Sequence, residues 1–312
     1  GGNPALVNFS DFDWEKTYNV IYGQTSFEDW FEVYRYLEEK EFRNETAPVL
    51  QTRFSADDKS LHYISWGTHR LDLGTGQSDL LAFEHHWMEG RQEYPGNEDI
   101  IVYRKFKVDD TLIIYQTGES KILAELTIPG GENITSFAFF EQDRYCLLGG
   151  AKGSIACWDV LLKKLLYHDP VYNNSNGRIT SMLLQPGSKK IIALGRNRNP
   201  VIIDGETGQL LHTLNIDNPD LADISGPKLF ISADSGRLFY ADTADYQVKK
   251  AERIGGFTGK MDAMKSSRNG KYLYVLEAPL LYVIDIRSGQ VVNRFKTGSL
   301  NLGTLSVSHN DS

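Results

Sequence analysis

The chain has 312 residues, 24% of them charged and 41% hydrophobic, with a formal net charge of −8 at pH 7. That composition is the one of a folded, core-forming chain, and it excludes a chain that is disordered throughout. The acidic balance argues against nucleic acid as a partner, because phosphate binding needs clustered Lys and Arg. No stretch reaches the ~18 uninterrupted apolar residues of a helical membrane span, so no membrane partner is expected.

Residues 1–47 read differently from the rest. No signal-peptide pattern shows at the start. Thr17–Tyr22 fits a strand or a helix equally well. Ser26-Phe27-Glu28-Asp29 is a capping-box pattern, and Phe27, Trp30, Phe31, Tyr34 and Leu37 follow at helical spacing. Glu28, Glu32, Glu38 and Glu39 lie mostly off that stripe, so an amphipathic helix is expected over about 27–42. Its apolar face either packs on the domain behind it or docks a partner.

From Pro48 onward one unit recurs. An apolar strand ends near an Asp, and a turn with Thr or Ser and Gly follows. Leu71-Asp72-Leu73-Gly74-Thr75-Gly76, Ile203-Asp204-Gly205-Glu206-Thr207-Gly208 and Ile284-Asp285-Ile286-Arg287-Ser288-Gly289 are the clear copies. In each, the hydroxyl residue stands three places after the Asp and the Gly four places after it. Degenerate copies lie at Tyr115, at Trp158-Asp159 and at Asp242. The markers therefore fall at 72, 115, 159, 204, 242 and 285, and most spacings lie near the ~40–45 residues of a four-stranded propeller blade.

Gly supplies the positive φ a tight turn needs, and Asp, Thr or Ser bond local backbone groups. Strands are expected on both sides of each marker. Ile134–Phe139 and Ile179–Leu184, which share a Thr-Ser pair, read as inner strands. The high aromatic content, 12%, suits pleated surfaces.

These residues resemble the WD40 and YVTN-type β-propeller repeats over about residues 48–312. Trp158-Asp159 is the one true WD dipeptide, while Leu281-Tyr282-Val283-Ile284-Asp285 with Ser288-Gly289-Gln290 is similar to the YVTN consensus. The Gly-His pair that opens many WD40 blades is missing, so the histidine network of that family is not carried over. The resemblance implies an all-β propeller of four-stranded blades with a short N-terminal helical segment. Six markers imply six blades. The segment 303–310 looks like the inner strand of another, so seven is the favoured count, with residues before Pro48 helping to fill the last. Domain boundaries follow at 1–47 and 48–312.

Three function classes follow. WD40-like rings imply a non-catalytic scaffold that binds other proteins, with no catalytic residue, cofactor or metal. The aromatic segment from Trp14 through Tyr22 to Arg35 faintly resembles the linker before the propeller in F-box/WD proteins. That implies substrate recognition in a cullin-type ubiquitin ligase, through a Skp1-type adaptor. A YVTN- or quinoprotein-like enzymatic or secreted propeller is the third. The only two cysteines, Cys146 and Cys157, lie on neighbouring strands of one hairpin and could pair. So low a count suits free thiols in a reducing compartment, cytoplasm or nucleus.

Partner contacts are expected from exposed loop residues, because desolvated aromatic and Arg side chains carry much interface energy. Those residues are His86, Trp87, Arg91 and Tyr94, in an irregular insertion of the second blade, and Arg196 and Arg198 at a hairpin tip. Glu84, His85 and His86 would need His62 or His69 to hold a metal, and adjacent strand residues point opposite ways. The oxygen-rich run 217–220 with Asp223 is expected to be a solvated loop between blades, without the spacing of a calcium loop.

Overall fold

The computed structural model describes residues 51–55, 58–64, 68–82, 97, 100–104, 110–116, 121–172, 177–233, 236–251, 261–267, 269–277, 279–296 and 305. They form small antiparallel sheets arranged as a six-bladed β-propeller. Blade 1 holds β1 (Gln51–Phe54), β2 (Ser60–Ile64), β3 (Thr68–Asp72) and β4 (Ser78–Ala82). Blade 2 shows β5 (Ile100–Arg104), β6 (Thr111–Gln116) and β7 (Lys121–Thr127). Blade 3 holds β8 (Ile134–Phe140), β9 (Tyr145–Gly150), β10 (Ser154–Asp159) and β11 (Lys164–Pro170). Blade 4 holds β12 (Ile179–Leu184), β13 (Lys190–Gly195), β14 (Arg198–Asp204) and β15 (Leu210–Thr213). Blade 5 holds β16 (Pro219–Ser225), β17 (Lys228–Ala233), β18 (Arg237–Asp242) and β19 (Val248–Ala251). Blade 6 holds β20 (Ala263–Ser266), β21 (Tyr272–Glu277), β22 (Leu280–Asp285) and β23 (Val291–Lys296).

Every strand pairs with its sequence neighbour inside a blade. In the five blades described with four strands the marker ends the third strand, and in blade 2 Tyr115 lies next to the end of β6. The turns after them repeat at atomic detail. Asp72 Oδ1 accepts the Thr75 N–H at 2.7 Å and its hydroxyl at 3.0 Å. Asp204 Oδ1 does the same with Thr207 at 2.9 and 3.0 Å, and Asp285 Oδ1 with Ser288 at 2.7 and 2.9 Å. The degenerate Asp159 keeps the backbone bond, to the Leu162 N–H at 2.9 Å, and adds Arg144 Nε at 3.0 Å.

The core lies between blades. Along β8 successive side chains enter opposite seams: Phe137 and Phe139 pack toward blade 2, Ala138 and Phe140 toward blade 4. This is the two-residue period of a strand, with both faces covered. All seven residues of β8 are buried, whereas β11, the outermost strand of the same blade, is largely exposed. Polar groups bridge the seams as well. Trp158 Nε1 donates to the Thr127 carbonyl at 2.9 Å, Thr135 Oγ1 to Ile179 O at 2.6 Å and Ser225 Oγ to Ser267 O at 3.2 Å.

Three expectations need a statement here. The described residues form six blades rather than the favoured seven. The residues expected to supply a seventh, and the expected helix at 27–42, lie outside the described residues, apart from 305. Part of the oxygen-rich run is not a loop: Pro219–Ser225 forms the innermost strand of blade 5, with Asp223 fully buried. Asp223 Oδ2 accepts the Ser266 N–H at 2.5 Å, and Lys265 Nζ stands 3.6 Å from Oδ1, so the neighbouring blade compensates the buried charge. The cysteines are free. Cys146 faces the blade 2 seam and Cys157 the blade 4 seam, so the sheet itself separates the thiols.

Candidate partner-binding cleft

Two local features build a cleft at the outer part of the seam between blades 3 and 4. The first is the hairpin joining β13 to β14. Its tip is Arg196-Asn197, and Asn197 holds φ of 56°, a left-handed conformation that Asn tolerates better than most residues. The Arg196 N–H donates to the Arg178 carbonyl at 2.8 Å, which ties the tip to the residue before β12. Arg196 is exposed and Arg198 half-buried.

The second feature is Tyr172, just past β11. The backbone N–H groups of Val171 and Tyr172 both donate to Gly153 O, at 2.9 and 3.0 Å. The ring then enters a slot that only glycines leave open. A Cβ on Gly177 would stand 2.4 Å from Tyr172 Cβ, and one on Gly195 2.6 Å from its Cε2. Gly153 is equally close, at 2.8 Å from Tyr172 Cβ. At the end of the slot the phenol donates to Asn199 O at 3.0 Å. Burial pushes the Tyr172 pKa up, and the Arg198 cation opposes that shift. The hydroxyl is therefore a fixed, protonated donor that holds the start of β14 against blade 3.

The cleft has a volume of about 310 Å³. Val171, Val201 and Leu210 give its apolar lining, and Asn197, Arg198 and Asn199 its polar rim, with Tyr172 and Thr213 completing it. Leu210 is 51% exposed although it is a large apolar side chain. It lies on β15, the outermost strand of blade 4, whose far edge pairs with no other strand among the described residues. The concavity brings one arginine, Arg198, together with an apolar surface at the outer edge of blade 4.

Of the residues expected to contact partners, the structure places Arg198 in this cleft and Arg196 beside it. His86, Trp87, Arg91 and Tyr94 lie outside the described residues. Tyr172, Val171 and Leu210 were not singled out from sequence. The available signal was glycine, at 153, 177 and 195, since a glycine in or beside a strand often marks close approach by another group.

His62 and His69 are the further ligands that a metal beside Glu84, His85 and His86 would have needed. His62 pairs with Arg70 and His69 with Tyr63, so the two histidines occupy opposite faces of the sheet. Burial lowers the His69 pKa to about 4, and its neutral ring stacks on Tyr63 at 4.7 Å. Among the described residues no group of three or more His, Cys, Asp and Glu could hold an ion. Among the same residues no helix is long and apolar enough to cross a membrane. Compared with known proteins, the chain matches no family model, and no curated protein matches it either.

Proposed function

We propose that this protein is a non-catalytic scaffold of WD-repeat type that holds partner proteins on the rims and hairpin tips of its propeller. The observation that carries the reading is the contrast between seams and rim. Packed seams fix the blades, while large apolar side chains stand exposed at their outer ends. Leu161 is 75% and Leu162 66% exposed in the turn after β10, and Leu210, which lines the cleft between blades 3 and 4, is 51% exposed. Rigid sheets presenting adaptable loops are a common platform for recognition. Aromatic, apolar and Arg side chains desolvated at such a platform supply most of an interface's energy. A count of two cysteines in 312 residues suits a reducing compartment, and we place the protein in the cytoplasm or nucleus.

The test is affinity capture of the full chain from its own cells after mild crosslinking, followed by quantitative mass spectrometry. A scaffold returns one or a few proteins in near-stoichiometric amount. Co-capture of a cullin with its adaptor would assign the captured substrate to ubiquitylation. Recovery of the chain alone, from extracts and from intact cells, would rule the scaffold reading out.

A further inference from the structure

We propose that one rim of the propeller docks on an anionic lipid surface, with the turn after β10 as its inserting tip. Leu161 and Leu162 would enter the headgroup layer, and Lys163 and Lys164 would meet the negative headgroups behind them. The inference goes beyond the scaffold reading: it names the surface on which the scaffold is held and leaves the opposite rim to proteins.

Position is the first observation. The blades run their strands in the same order, so the turns before the outermost strands all emerge at one end of the ring. Leu73, Ile122, Leu161, Leu162, Leu210 and Val292 are exposed, and each lies in such a turn or within the first two residues of the strand that follows. Among the described residues, Leu166 and Phe295 are the only other large apolar side chains so exposed. One rim therefore presents apolar side chains from several blades. A pocket on one folded partner would cover a single such tip, whereas a flat, yielding surface reaches more than one.

The second observation is that blade 3 departs from its own repeat at this turn, and the fold gains nothing by it. Blades 1, 4 and 6 complete the turn with Gly74-Thr75-Gly76-Gln77, Glu206-Thr207-Gly208-Gln209 and Arg287-Ser288-Gly289-Gln290. In each, the hydroxyl donates to the marker Asp and accepts the Gln N–H, the latter at 3.3 Å in all three. Blade 3 has Leu161-Leu162-Lys163-Lys164 there. The Leu162 side chain can make neither bond, and Lys163 holds φ of 52° where those blades have Gly. Blade 5 departs as well, but Asp245 Oδ1 accepts the Gln247 N–H at 3.0 Å and Tyr246 is buried. Side chains that weaken a turn and pack on nothing inside the molecule point to a contact outside it.

Charge selects the occupant. Lys163 and Lys164 are both exposed. Asp159, the one acid of this turn, is buried and held by Arg144 and the Leu162 N–H. Glu141 and Asp143, on the turn beside it, are engaged, Glu141 with Lys189 and Asp143 with the Asn97 N–H. The tip thus presents two apolar side chains followed directly by two cations. Long lysine stems keep the ammonium groups at the polar layer while the leucines go deeper. An anionic bilayer supplies both layers, negative headgroups over an acyl boundary. Docking of this kind needs no spanning helix. The net charge of −8 is spread over the whole chain, and salt screens it beyond ~8 Å, so the charge of the tip governs the contact.

The experiment is co-sedimentation of the full chain with vesicles of phosphatidylcholine alone or with about a third phosphatidylserine. The anionic vesicles should bind it at least about five-fold better, and high salt should weaken that binding. The main variant gives blade 3 the turn of blade 4: Leu161→Glu, Leu162→Thr, Lys163→Gly and Lys164→Gln. It should unfold no earlier than wild type, because it restores the bonds of the repeat, and should lose at least about five-fold in vesicle binding. Should it misfold, Leu161→Ser/Leu162→Ser and Lys163→Gln/Lys164→Gln carry the test, each weakening binding. Wild type without preference for the anionic vesicles, or binding that no variant alters, would overturn the inference. So would a wild-type dimer that the variant dissolves without vesicle binding, which would assign the rim to a second copy. Captured proteins lost from the variant, again without vesicle binding, would assign it to a protein. Vesicle binding that the variant loses while captured partners stay supports the inference and keeps the scaffold; the same loss with no partner captured supports it and removes the scaffold reading alone.

Discussion

Four residues after each marker aspartate the backbone must turn left-handed, and the five copies described at that point solve the problem differently. Gly76, Gly208 and Gly289 hold φ of 70°, 75° and 70°. In blade 3 the same position is Lys163 at 52°, and in blade 5 it is Tyr246 at 54°. A side chain there crowds the neighbouring carbonyl, at roughly 1–2 kcal/mol for an ordinary residue. Tyr246 offsets that cost by packing. It is buried, its hydroxyl donates to Gln185 across the blade 4–5 seam, and its ring stands 5.0 Å from His212. Lys163 is exposed and has no comparable packing. Lys163→Gly is therefore expected to stabilise the fold by about 0.5–1 kcal/mol, the strain relieved less the entropy that glycine loses on folding. Urea unfolding of both proteins measures it, and an unchanged or lower midpoint would show that Lys163 is unstrained.

At the scale of the element, the repeated turn is an electrostatic object as well as a steric one. Backbone N–H groups of Thr75, Leu162 and Ser288 point at the carboxylates of Asp72, Asp159 and Asp285 and hold their pKa values below the usual carboxylate range. In the unfolded chain the same carboxylates protonate near 3.8. As pH falls past that value the unfolded state takes up protons that the folded state still refuses. The stability these turns supply is thus complete above that pH and is lost as pH drops through the lower folded values. Asp285→Ala should lower the thermal midpoint at pH 7 and lose most of its effect at pH 2. Asp285→Asn, which keeps an Oδ1 acceptor for Ser288, should cost less. Equal effects of the two substitutions would refute the hydrogen-bond account. These turns were legible in the sequence because their residues act within six positions of one another. Arg196-Asn197 was legible as a hairpin tip for the same reason. The cleft beside it was not, because Tyr172 and Leu210 come from different blades and meet only when the seam closes.

Across the whole molecule, stability resides in the apolar seams between sheets, and the two cysteines report on two of them. Burial raises the Cys146 pKa well above its ordinary value and pushes Cys157 up to about 12. A thiol that is both inaccessible and protonated is a poor nucleophile. The native protein at pH 8 is expected to leave both thiols unreacted with an aromatic disulfide reagent, and urea should release both. If the seams open together, the two should appear in one transition. Rapid labelling of either in the native state would mean that its seam opens on its own.

The sequence by itself determined the repeating unit, the strand that ends each marker and the turn that follows. It also determined the all-β class, since alternation, turn chemistry and a spacing of ~40–45 residues are properties of short stretches of chain. Tertiary structure decided what those stretches do together. It set the number of blades the described residues form and drew Pro219–Ser225 into an inner strand, with the neighbouring blade compensating Asp223. It put Cys146 and Cys157 on opposite faces and threaded Tyr172 between three glycines far apart in sequence, Gly153, Gly177 and Gly195. The reason is physical. A blade cannot bury its own faces, so every choice that depends on burial waits for the neighbouring sheet to arrive.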